Sequence, residues 1–98
     1  MLSLKRNHQV FVCLEPVDFR KGIDSLASMC RYELGWEPNE GHLFIFCNRR
    51  RTAVKILVYD QGGYWLAMKR FSQGKLSFWP KGEKIETRQL QILLNRGD

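Results

Sequence analysis

The chain has 98 residues, and its 16 Lys and Arg outnumber 10 Asp and Glu for a net charge of +6. That length accommodates one domain, 1–98, and leaves no room for a second. Apolar residues at 44% and charged residues at 27% read as a globular rather than a disordered chain.

The longest apolar runs, Leu43–Cys47 and Tyr64–Met68, fall far short of the roughly 18 residues that a membrane span needs. The start, Met1-Leu2-Ser3-Leu4-Lys5-Arg6, lacks the apolar segment of a signal peptide, so the expected compartment is the cytoplasm. Cys13, Cys30 and Cys47 are odd in number, widely spaced and set in apolar stretches. They read as buried free thiols. His8 and His42 are too scattered to complete a metal site with them, and neither metal nor cofactor is expected.

In chain order, residues 9–14 are β-branched and aromatic and predict a first strand. Pro16 breaks it, and Asp18 is a candidate helix N-cap. Phe19, Ile23, Leu26, Cys30 and Leu34 then form one apolar stripe, which predicts a helix over 19–34 ending near Gly35. Strands are predicted at 43–47, 53–59, 64–71 and 75–79, separated by Asn48–Thr52, Asp60–Gly63 and Ser72–Gly74. A short helix is expected over 86–95. These elements predict an α+β fold: an antiparallel β-meander of four to five strands, one main helix packed on one face, and a short C-terminal helix.

The positive charge falls in small groups. Arg49, Arg50 and Arg51 sit on a predicted hairpin connection, where guanidinium forks suit phosphate. Read alone, that triplet is equally a solvated turn blunting strand edges. Arg20 and Lys21 stand at a helix start, where acidic residues are the norm, with Asp18 and Asp24 close enough in sequence to neutralise them. Lys69 and Arg70 end a strand and point to opposite faces. Phe78-Trp79-Pro80 is an aromatic group at a strand end. Signatures of P-loop, zinc-protease, dinucleotide-binding or serine-hydrolase chemistry are absent. Asp18, Asp24 and Asp60 have no spacing that would gather a nuclease metal, so no catalytic residue is assigned.

Pro16-Val17-Asp18-Phe19-Arg20-Lys21-Gly22-Ile23-Asp24-Ser25-Leu26 resembles the signature of the TnpB accessory proteins of the IS66 family of bacterial insertion sequences. Gly41 through Arg51 is similar to a second conserved stretch of that family, as are Lys55-Ile56-Leu57, Asp60, Lys69-Arg70 and Phe78-Trp79-Pro80. The resemblance runs from about Val10 to Leu94, in the same order. These proteins are unrelated to the large RNA-guided nucleases that share the TnpB name. Cys47 and Val58-Tyr59 depart from the family pattern.

The resemblance implies a non-catalytic role in transposition, with the chemistry assigned to a separate transposase. DNA is the expected partner, contacted by Arg20, Lys21, Arg49, Arg50, Arg51, Lys69 and Arg70. The alternative is a protein-interaction module that docks on the transposase or a second accessory protein through Phe78 and Trp79. Strandedness and sequence preference of the DNA are left open.

Overall fold

The computed structural model describes residues 8–37 and 41–95. The expected α+β class is present: a five-stranded, mostly antiparallel sheet with two helices. The strands are β1 (Val10–Val12), β2 (Leu43–Cys47), β3 (Ala53–Asp60), β4 (Gly63–Arg70) and β5 (Lys84–Ile85). The helices are α1 (Ile23–Tyr32) and α2 (Thr87–Leu94). The sheet order is β4-β3-β2-β1-β5.

A true antiparallel meander covers β2, β3 and β4. β1 joins it in parallel, pairing Val10 with Leu43 and Val12 with Ile45. The segment from β1 to β2 carries α1, which supplies the long crossover that parallel pairing requires. The predicted strand at 75–79 is not one. Leu76 and Trp79 turn inward and are buried, and the fifth strand is the two-residue β5 beside β1.

Both faces of the sheet are covered. On one, Leu26, Met29 and Cys30 of α1 pack on Phe44, Phe46 and Leu57. Phe11, Phe44 and Trp36 stack there with centroids 5.3–5.5 Å apart, worth about 0.5–1.5 kcal/mol per pair beyond burial. On the other face, Leu90 and Leu93 of α2, with Phe71, Leu76 and Trp79, cover Val10, Val12, Ile45, Cys47, Val54 and Val58. The main helix thus has its face to itself, and the C-terminal helix covers the other.

β2 is buried at all five positions because it is central and covered twice. The three thiols are buried and free as expected. Burial pushes Cys30 up to about 12 and Cys47 up to about 11, so both stay protonated at neutral pH. Among the described residues no helix is long and apolar enough to cross a membrane. Nor do any three His, Cys, Asp or Glu gather as a metal site.

α1 begins later than its stripe suggested. Asp18 does not cap it. Its carboxylate accepts the Arg20 backbone N–H at 2.9 Å and so closes a local turn. Gly22 is the N-cap, with extended backbone and no side-chain cap. The helix ends near Gly35, whose φ of +72° reverses the chain, and the Trp36 N–H closes the end on the Cys30 carbonyl at 2.8 Å. The β3–β4 hairpin turns on Gln61 (φ +49°) and Gly62 (φ +82°), the two left-handed positions of a tight hairpin whose twist matches the strands.

Candidate nucleic-acid interface

The segment after β1 continues the parallel pairing with β2. Cys13 donates to the Ile45 carbonyl at 3.0 Å, and Val17 to the Cys47 carbonyl at 2.9 Å. This stitches Pro16–Lys21 to the end of β2, exactly where the β2–β3 connection begins. Two stretches far apart in sequence therefore stand side by side.

Asn48 builds that connection. Its side-chain oxygen accepts from the Thr52 and Ala53 backbone N–H groups at 2.8 and 3.2 Å, and its amide donates to the Thr52 hydroxyl at 2.8 Å. The Arg51 N–H returns to the Asn48 carbonyl at 3.0 Å, with Arg51 at φ +60°. A left-handed arginine is a strained choice where glycine or asparagine is usual. The bracing leaves Arg49 and Arg50 exposed on a fixed turn.

Lys55 holds the facing wall. It is 7% exposed, and its ammonium donates to the Phe19 and Lys21 carbonyls, each at 2.8 Å. It also lies 4.9 Å from the Phe19 ring centroid. A buried ammonium needs such partners, and here they are the backbone of the 18–22 loop.

Two adjoining clefts result. The first, about 480 Å³, is lined by Pro16–Arg20 and by Asn48, Arg49 and Arg50. The second, about 570 Å³, lies between Phe19, Asn48 and Arg50 on one side and Lys55, Leu66, Met68 and Arg70 on the other. Phe19, Asn48 and Arg50 belong to both.

Four of the seven basic residues singled out by sequence, Arg20, Arg49, Arg50 and Arg70, therefore share one end of the α1 face. The other three do not line the clefts. The Lys69 ammonium crosses to the opposite face and donates to the Leu94 carbonyl at 2.7 Å, tying down the C-terminus of α2. Lys21 gives its carbonyl to Lys55. The Arg51 backbone holds the turn and accepts the Leu76 N–H at 2.8 Å.

Arg20 is paired with Asp18, its Nη2 and Nε 2.6 and 2.9 Å from one carboxylate oxygen. The Arg20 guanidinium, with its backbone N–H, holds the Asp18 carboxyl down at about 2, so the pair is fully ionised at neutral pH. The Arg20 side chain is 91% exposed, and an ion pair so exposed is held weakly.

Trp79 lies in the core at 6% exposure, its indole N–H donating to the Cys13 carbonyl at 2.9 Å, and it presents no contact surface. Phe78 is 45% exposed and lines a groove of about 340 Å³ with Pro80, Lys81 and Ile92. Sequence reasoning did not assign Phe19, Asn48, Lys55 or Met68 to the site. The lone lysine within an apolar strand was the available signal for Lys55.

The fold and the site thus define a small α+β module that gathers arginines at one end of its sheet. The chain belongs to the family described as IS66 Orf2 like protein, which it matches over residues 8–97, and is an insertion-sequence accessory protein. Two relatives come from Sinorhizobium fredii. The uncharacterized protein y4hO is 32% identical, over 97% of this chain and 85% of its own length. The uncharacterized protein y4jC is 30% identical, over 82% of this chain and 68% of its own length. No solved structure gives a significant match.

Proposed function

We propose that the chain is a non-catalytic DNA-binding factor of insertion-sequence transposition, gripping phosphates with Arg20, Arg49, Arg50 and Arg70. The observation that carries this reading is their convergence. Arginines from three segments line two clefts that share Phe19, Asn48 and Arg50. Guanidinium forks on braced backbone fit phosphate, and a phosphate can replace Asp18 as the partner of Arg20. The cytoplasm of a bacterial cell is where such a factor would meet the element's DNA.

The test is a titration of DNA from an element end across a salt series. Binding should weaken with a slope of about −0.9 per phosphate neutralised. Arg49→Ala/Arg50→Ala is expected to lower affinity about ten- to a hundredfold and to flatten the slope by about two units. Absence of binding at low salt would overturn the reading.

A second reading is docking on the transposase or on a second accessory protein. The exposed Phe78 and Ile92, 45% and 41%, beside Lys81 favour it. Phe78→Ala should then abolish co-purification with the transposase after nuclease treatment, while the melting temperature stays within a few degrees. Co-purification that survives the change removes this groove as the docking site.

A further inference from the structure

We infer that the second cleft takes an unpaired nucleobase, so that the site prefers single-stranded DNA to intact duplex. This rests on the DNA-binding reading above and names its ligand. The observation behind it is the apolar part of the cleft's lining rather than its arginines. Ala53, Leu66 and Met68 share one face of β3 and β4, because Lys55 pairs with Met68, Leu57 with Leu66 and Ala53 with Arg70. Met68 is 52% exposed and lines the cleft together with Phe19, Arg50 and Arg70.

Phosphate contact needs the arginines and has no use for the apolar lining. A duplex turns its phosphates and sugars outward and keeps the faces of its bases stacked inside. A single strand can pass its phosphates along Arg49, Arg50 and Arg70 while laying a base against Phe19 and Met68. Aromatic and thioether groups both favour that contact. The ring is fixed in advance. Lys55 bonds the Phe19 carbonyl at 2.8 Å and its ammonium covers one face of the half-buried ring, 4.9 Å from the centroid, which holds the ring in place and leaves its uncovered side for a base.

Asn48 is not available to read a base edge in this cleft. The Asn48 side chain already serves Thr52 and Ala53. Stacking without edge contacts tolerates any base, which makes a homopolymer a fair probe.

The experiment compares fluorescence anisotropy of labelled oligo(dT) with that of a duplex of equal length, at one low salt concentration. Oligo(dT) is expected to bind at least about fivefold tighter. Phe19→Leu and the exposed change Met68→Ser should each lower the single-strand to duplex affinity ratio by about fivefold or more. Thermal melts confirm that both variants fold, and Met68→Ser carries the test if Phe19→Leu is damaged. Equal affinities, a duplex preference, or a ratio that neither variant moves would overturn the inference. If both DNAs bind equally and Arg49→Ala/Arg50→Ala weakens both, the phosphate reading stands and this one falls. If neither binds, both fall.

Discussion

Trp79→Ala is expected to lower the unfolding free energy by about 3–5 kcal/mol, the range for removing a large aromatic from a packed core. Trp79 covers the α2 face of the sheet alongside Leu76, Leu90 and Leu93, and its indole N–H is the partner of the Cys13 carbonyl. Truncation opens a cavity and leaves that carbonyl without its donor. Trp79→Phe keeps most of the packing but loses the hydrogen bond and part of the ring volume, so its cost should be smaller, about 1–3 kcal/mol. Urea unfolding of the two variants measures both. A loss under 1 kcal/mol for alanine would contradict the packed position of the ring. A domain of this size holds a total of only about 5–15 kcal/mol. Loss of partner binding in Trp79→Ala would therefore not separate destabilisation from a lost contact, and Phe78 is the position that tests docking.

Lys55→Met is the second large effect, with an expected loss of about 2 kcal/mol. Two opposing terms decide it. Removing the charge relieves a buried ammonium of its desolvation cost. Against that stand two charge-assisted bonds to the Phe19 and Lys21 carbonyls, each of a kind worth about 1.5–3 kcal/mol. The bonds prevail, and solvent reaching the loop moderates the loss. At about 4–8 °C per kcal/mol, the melting temperature should fall by roughly 10–15 °C. Protease cleavage within 18–22 should accelerate alongside, because Lys55 anchors that loop to the sheet. A melting temperature within 2 °C of the parent, with no change in cleavage, would show that the loop is held by other means.

Most of the strand content was legible in the sequence because each run of apolar residues had a local cause. Leu43–Cys47 and, apart from Lys55, Ala53–Tyr59 are bounded by turns and apolar on both faces, and both are mostly buried strands flanked on either side. Thr87–Leu94 lies inside the expected helix, and its N-terminus is closed by reciprocal bonds between Glu86 and Gln89.

The departures have tertiary causes. Phe19 belongs to the apolar stripe, yet Asp18 and Lys55 take the polar groups of its loop and hold it outside the helix. Leu76-Ser77-Phe78-Trp79 has the composition of a strand, but Leu76 donates to Arg51 and Trp79 to Cys13, which folds the segment over a face instead of along an edge. β5 has two residues, too few to leave a pattern. In the candidate site, the arginine triplet marked the turn that lines the two clefts. Which of its members face the cleft depends on the left-handed backbone at Arg51, and no spacing rule predicts an arginine there. Lys69 and Arg70 were separable by strand alternation alone, and they do part to opposite faces.

The parallel pairing of β1 with β2 also sets the order in which the molecule can assemble. The β2–β3–β4 meander closes through short connections, but β1 must find β2 across the whole of residues 13–42. Such a non-local closure is slow compared with hairpin formation. Until it happens, Arg49, Arg50 and Arg70 are already on one hairpin pair, while Arg20 and the wall of Phe19 are elsewhere. A nascent chain at that stage carries its charge without its clefts. On the proposed reading, any selectivity the clefts give is completed only when β1 docks on β2.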